Sequence, residues 1–228
     1  FLDSSLQEQV EWADDLLART HFNNTGVAVC VLDTGINGNH KLISPYMPTM
    51  GMTVDQAWGI QDRNGHGTNM AGVALYNDLK RYLISNTPFV LNHSIESVKI
   101  LEPDSTTPTS VKLYGRVTEQ AVLLAEISNS TMERVYCMAV TDPQSGSNDG
   151  QPSSWSASID KISSDGHKRL FIVSAGNVQI TDLQAKNYPD ACLMKSVEDP
   201  AQAWNALTVG AYSTDMTIQP SIYTRGYT

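Results

Sequence analysis

Val27-Ala28-Val29-Cys30-Val31-Leu32, followed at once by Asp33-Thr34-Gly35, decides the fold. A short, continuously apolar and β-branched run is the pattern of a strand buried on both faces, as strands are in a parallel sheet. Gly26 ends the connection before it, and Gly35 allows a sharp turn after it, so the Asp33 carboxylate is expected at the carboxyl edge of the sheet. Similar runs recur at 98–101, 135–140, 170–173 and 206–209.

Helical periodicity fills the gaps between these runs. Val117, Ala121, Leu124, Ala125 and Ser128 share one helix face, as do Trp155, Ile159 and Ile162. Pro152 and Ser153-Ser154 supply a start for the second helix, and Gly166 a C-terminal cap. Upstream, Leu6, Val10, Ala13 and Leu17 predict an amphipathic helix over about 4–19, capped near Asp3 or Ser4. Strand and helix alternate, which predicts a three-layer α/β fold: a mostly parallel sheet with helices on both faces and ligands beyond the carboxyl ends of the strands. Stretches 44–61, 102–112, 141–152 and 178–200 are rich in Pro, Ser, Asp, Gly or Asn and read as surface loops.

A length of 228 residues suits one domain over 1–228. With 15 basic and 24 acidic residues the net charge is −9, which argues against unspecific binding to nucleic acid or to an anionic membrane surface. No run approaches the roughly 18 apolar residues that span a bilayer, so no membrane segment is expected. The first residue is Phe1 rather than Met, which leaves room for a leader, propeptide or larger upstream region. Cys30, Cys137 and Cys192 lie far apart without a CxxC pair, so free thiols are expected, which leans towards a reducing, cytoplasmic compartment. The triplets beginning at Asn23, Asn92 and Asn129 match a glycosylation pattern too short to carry weight.

Three segments carry chemistry. Asp33 ends the first buried strand. Asn64-Gly65-His66-Gly67-Thr68-Asn69-Met70-Ala71-Gly72 opens a helix, and because a helical Gly costs about 1 kcal/mol against Ala, Gly67 and Gly72 imply close backbone packing there. Phe171-Ile172-Val173-Ser174-Ala175-Gly176-Asn177 is a strand ending in small residues, which admit a substrate, and in an amide able to donate to a developing oxyanion. Singly, each has a structural explanation: Asp and Asn are common turn residues, and His at a packed helix start is often structural. An acid at a strand end and a His on a packed helix are also two of the three parts of an acyl-transfer triad.

In order and context these segments resemble the subtilisin family of serine peptidases. The resemblance continues through Glu96-Ser97-Val98-Lys99-Ile100-Leu101 and Ala206-Leu207-Thr208-Val209-Gly210-Ala211, and so extends over nearly the whole chain beyond the first helix. It implies Asp33 as the orienting acid, His66 as general base and acid, and Asn177 as side-chain donor of the oxyanion hole. It also implies that Ala139-Val140-Thr141 pairs with an extended peptide or protein substrate by strand addition. Ser174-Ala175-Gly176 would then wall the pocket for the residue before the cut. No cofactor and no metal are implied, and residues 76–95 show no clustered oxygen ligands for calcium.

The family's nucleophile lies in a Gly-Thr-Ser segment after the strand matched by 206–210, and no such segment follows here. Ser213 and Ser221 lie too early and lack that context. The expectation is a domain incomplete on its C-terminal side, whose serine comes from a longer chain or from a second polypeptide. Asn69-Met70 and Ala139-Val140-Thr141 also replace the commoner His-Val and Ser-Leu-Gly, which leaves the pocket's specificity open.

Asp33-Thr34-Gly35 resembles the aspartic-protease motif too, but that mechanism needs a second motif or a symmetric dimer of mostly β subunits. A zinc hydrolase fits less well, because His21, His40, His93 and His167 show no ligand spacing around His66. The remaining alternative is a domain of this fold that binds peptides or a partner without cutting them.

Overall fold

The computed structural model describes residues 4–103, 113–143, 151–178, 190 and 195–211. The chain runs α1 (Leu6–Ala18), β1 (Thr20–Phe22), β2 (Val27–Asp33), β3 (Met52–Thr53), α2 (His66–Tyr76) and α3 (Leu79–Leu83). It continues through β4 (Phe89–Leu91), β5 (Ser94–Lys99), α4 (Tyr114–Ser128), β6 (Glu133–Met138), α5 (Ser154–Ser163), β7 (Arg169–Ser174) and β8 (Ala206–Val209). Six strands form one sheet in the order β3-β5-β2-β6-β7-β8, every neighbouring pair parallel. Strands β1 and β4 make a separate parallel pair.

Period-two alternation along β2 builds both cores. Cys30 and Leu32 join a cluster with Val122 and Ala125 of α4, Trp155 and Ile159 of α5, Tyr136 and Phe171. Val31 faces the other way, into a cluster with Leu16 of α1, Ala71, Leu75 and Tyr76 of α2, and Ile95. The sheet is therefore covered on both faces, the three-layer α/β arrangement expected from the sequence. At β7 and β8 the α2 face is more open: Leu170, Leu207 and Val209 remain exposed.

Several boundaries differ from expectation for physical reasons. Helix α1 is capped by Ser5, whose hydroxyl accepts from Glu8 N–H while the Glu8 carboxylate accepts from Ser5 N–H, a reciprocal capping box. Asp3 lies outside the described residues. The helix buries Ala13 and Leu16, whereas Leu6 and Val10 stay exposed, because only its second half reaches the core. Helix α5 starts at its expected cap Ser153 and buries Trp155, Ile159 and Ile162, but its C-cap is Ser164, two residues before Gly166. In α4, Ala121 and Ala125 are buried while Ser128 is exposed at the helix end.

Strand β5 begins four residues before the expected run at 98 and stops at Lys99, and all six of its residues are buried. Polar side chains concealed it. Glu96 is buried because Arg134 of β6 donates to it twice, Nε to Oε2 at 2.6 Å and Nη2 to Oε1 at 3.0 Å. The same guanidinium donates to the carbonyls of Ala125, Asn129 and Met132, tying off the end of α4. Such a pair holds its charge inside the protein only when hydrogen bonds fill its remaining polar valences.

Segments 141–152 and 178–200 are not purely surface loops. Thr141, Asp142, Glu198 and Asp199 are buried, and Asp142 N–H donates to Asp199 O at 2.8 Å in an antiparallel bridge. In 44–61, Tyr46 is buried and β3 joins the sheet edge. Most of 102–112 and 178–200 lies outside the described residues. Cys30 is buried and Cys137 half-buried, both free thiols; Cys192 lies outside the described residues. Among the described residues no helix is long and apolar enough to cross a membrane.

Candidate active site

Strands β2, β6 and β7 are parallel neighbours, so the segments leaving their carboxyl ends emerge side by side. Asp33 closes β2, Ala139-Val140-Thr141 follows β6, and Ala175-Gly176-Asn177 follows β7. Adjacent strands lie about 4.8 Å apart, which puts the exits of β2 and β7 about 10 Å from each other. A cavity of about 320 Å³ lined by Val27, Arg134 and Leu170 lies at the opposite, amino edge of the sheet.

Asp33 is fully buried, with its backbone still in the ladder opposite Lys99. Its Oδ1 accepts from Thr34 N–H at 2.7 Å. His66, the first residue of α2, brings Nδ1 to 2.8 Å from Oδ1 and 2.9 Å from Oδ2 of Asp33. A carboxylate only accepts, so Nδ1 carries the proton and Nε2 of the neutral ring has its lone pair free for another proton. The ring is about one third exposed, against 1% for the Asp33 side chain. Its pKa is raised by the hydrogen bond to Asp33; burial opposes this, and the charges of Asp33 and Asp62 add to it.

The dyad is held by a network that sequence reasoning did not single out. Asp62 Oδ1 accepts from Thr34 Oγ1 at 2.9 Å, Asn64 N–H at 3.0 Å and Gly65 N–H at 2.8 Å. Its Oδ2 accepts from Thr68 N–H at 2.9 Å and Thr68 Oγ1 at 2.6 Å. Thr34 Oγ1 in turn accepts from Gly67 N–H, and Thr68 Oγ1 from Asn37 N–H. One carboxylate thus ties the turn after Asp33 to the first turn of the helix that carries His66. Burial disfavours the Asp62 carboxylate, but the donors from Thr68, Gly65 and Thr34 outweigh that and lower its pKa. The local signal for Asp62 was its place before Asn64-Gly65, where a side-chain oxygen bonding two residues ahead makes an Asx turn.

Gly67 has the close packing inferred for it: a Cβ there would stand 2.1 Å from Gly35 O and 3.2 Å from Asp33 Cβ. Gly72 does not. A Cβ on Gly72 would meet nothing within 4 Å, so this glycine answers no contact among the described residues.

Val140 and Thr141 are buried and Ala139 is half-buried. Ser174, Ala175 and Gly176 are half-buried, and Asn177 is exposed. The two segments are joined through Glu198, a residue the sequence reading placed in a surface loop. Its N–H donates to Ala175 O at 2.9 Å, and its Oε2 accepts from Thr141 Oγ1 at 2.6 Å. Of the other histidines, His21, His40 and His167 are exposed, and His93 Nε2 donates to Ala74 O at 3.0 Å. Among the described residues no group of three or more His, Cys, Asp or Glu is arranged to hold a metal ion.

A model of the subtilase family matches residues 24–226. A curated relative, the subtilase-type proteinase psp3 of Schizosaccharomyces pombe, is 28% identical over 198 residues, which are 86% of this chain and 37% of that protein. The chain thus spans little more than a third of that relative's length. Among solved structures, the S41 psychrophilic protease superposes with a TM-score of 0.58 at 25% identity, covering 88% of this chain and 57% of that one. A cold-adapted subtilisin-like serine proteinase gives 0.52 at 22% identity, covering 85% of this chain and 58% of its own; at that identity the likeness concerns the fold.

Proposed function

The chain belongs to the subtilase family, and from that premise we propose that it is the larger part of a serine endopeptidase domain that hydrolyses peptide bonds through an acyl-enzyme. The observation that carries this reading is the Asp33–His66 pair, with Nδ1 bonded to a buried carboxylate and the ring still partly open to solvent. In this mechanism Asp33 holds the tautomer and stabilises the imidazolium. His66 Nε2 takes the proton of a serine hydroxyl as its oxygen attacks the scissile carbonyl, then gives that proton to the leaving amine. Asn177 donates to the oxygen that becomes negative. Ala139-Val140-Thr141 pairs with the extended peptide, and Ser174-Ala175-Gly176 walls the pocket for the residue before the cut.

The domain would occupy 1–228 and be completed on its C-terminal side. The serine would be supplied by further residues of a longer chain or by a second polypeptide, since no Gly-Thr-Ser follows Val209 in these residues. The open α2 face of β7 and β8, with Leu207 and Val209 exposed and Val209 paired with Ser174 beside the Ser174–Asn177 turn, offers an apolar seat for such a segment.

Fluorophosphonate labelling of the longest natural gene product beside this 228-residue chain, read by intact mass, tests the proposal. Labelling of the long form alone is expected, reduced about 10²- to 10⁴-fold in rate by His66→Ala. Failure of a folded long form to label would move the assignment to a peptide-binding domain without catalysis.

A further inference from the structure

Glu198 is placed unlike a surface acid. It is 6% exposed and lies between the two segments assigned above to the substrate. Besides its bonds to Ala175 and Thr141, it packs on Gly176 so tightly that a Cβ there would come within 2.5 Å of Glu198 Cγ, 2.6 Å of Cδ and 2.7 Å of Oε2. The following residue continues the join through the Asp142–Asp199 bridge. Glu198 therefore closes the space between the strand-like segment after β6 and the turn after β7, with its carboxylate occupying the room a side chain at 176 would need.

One oxygen of that carboxylate is spoken for and the other is not. Oε2 accepts from Thr141, whereas buried Oε1 has no hydrogen-bond partner. Lys195 Nζ forms an ion pair with Oε1 at 3.8 Å, too long for a hydrogen bond, from a side chain 30% exposed. A buried carboxylate oxygen without a donor is costly and stands ready for a cation that brings one.

We infer that Glu198 Oε1 recognises a cationic side chain, lysine or arginine, at the substrate residue before the cut. This rests on the assignment of 139–141 and 174–176 to substrate binding. An ammonium or guanidinium brings the N–H donors that Oε1 lacks, and a charge-assisted bond in a water-poor site is among the stronger polar contacts available. Lys195, being the more exposed partner, turns its ammonium to water as the substrate's cation arrives; without substrate it keeps the carboxylate compensated.

The test uses the full-length natural product and peptides that differ only in the residue before the cut: lysine, arginine, glutamine or leucine. The expected kcat/KM for lysine and arginine exceeds that for glutamine by about 10- to 100-fold, and Glu198→Gln collapses the lysine-to-leucine ratio by a similar factor. Lys195→Met raises the ratio by removing the internal competitor. The same peptides are titrated by fluorescence anisotropy against the His66→Ala protein, so that preference is read whether or not anything is cut. Absence of cleavage and of fluorophosphonate labelling defeats the peptidase reading alone. Equal binding of the lysine and glutamine peptides, or a basic preference that survives Glu198→Gln, defeats the role given to Glu198. Should Glu198→Gln not fold, an unchanged or lower ratio in Lys195→Met overturns it.

Discussion

Gly67 and Gly35 meet backbone to backbone, with no room for a Cβ between Gly67 and the Gly35 carbonyl oxygen. The contact brings the first turn of α2 against the turn after β2, and so sets His66 beside Asp33. Gly67→Ala must move backbone atoms that are themselves hydrogen-bonded, so a loss of at least about 1–3 kcal/mol is expected, together with a broken dyad. Gly72→Ala, five residues on in the same helix, meets nothing and should gain up to about 1 kcal/mol from helix propensity. Urea denaturation of the two variants checks the opposite signs; equal effects would mean that the packing at Gly67 is not what fixes this helix.

The titration of His66 gives a second prediction. Its folded-state pKa is raised above the unfolded value of about 6.5 by the bond to Asp33, against burial, with help from the charges of Asp33 and Asp62. The stabilisation from the charged pair is thus fully present below about pH 6.5 and is lost as pH rises through the raised folded value. The ring is partly solvated, which weakens the effect by screening. A base must be neutral, so the acid limb of kcat/KM is expected above pH 6.5. Asp62→Asn removes one of the charges and should move the His66 titration downward, followed by NMR of the ring nitrogens in the 228-residue chain. A titration unmoved by that substitution would exclude Asp62 from the dyad's electrostatics.

Glu96 and Arg134 give a third. Glu96→Gln leaves a guanidinium buried without its counter-charge, and breaking one side of such a pair costs about 3–5 kcal/mol. Glu96→Leu combined with Arg134→Met should recover part of this. Recovery stays incomplete because Arg134 also bonds the carbonyls of Ala125, Asn129 and Met132. Chemical denaturation of the single and double variants measures the coupling, and strict additivity would show the pair to be energetically idle.

The strands were legible where apolar and β-branched residues run without a break, as in Val27–Asp33, which is buried on both faces, and in Ala206–Val209, although Leu207 and Val209 stay exposed on one face. They were not legible where a polar side chain is buried with a distant partner. Strand β5 was read short because Ser94, Glu96 and Ser97 do not announce burial, and Glu96 is paid for by Arg134, 38 residues away. The short pair β1 and β4 left no periodicity to detect, having three residues each. Asp33 and His66 could be paired in advance through the resemblance their local contexts carry, and the fold brings the two side chains to 2.8 Å; the role of Asn177 stands as a proposal. Glu198 could not be named in advance, because what distinguishes it is contact with Thr141, Ala175 and Gly176, far back along the chain; Asp62 carried only the local signal of an Asx turn, and nothing near it announced its bond to Thr34, 28 residues away.

By itself, then, the order of residues determined the alternation of strand and helix, the parallel sheet, and the residue types gathered at its carboxyl edge. These follow from hydrophobic period and turn chemistry, which act over a few neighbouring positions. The tertiary structure alone decided that both oxygens of the Asp33 carboxylate come within hydrogen-bond distance of the His66 ring, that Asp62 joins the two turns around it, and that Glu198 lies buried with one oxygen lacking a hydrogen-bond partner. Those facts depend on hydrogen bonds of about 3 Å between segments separated by tens of residues. Only the folded chain sets distances on that scale.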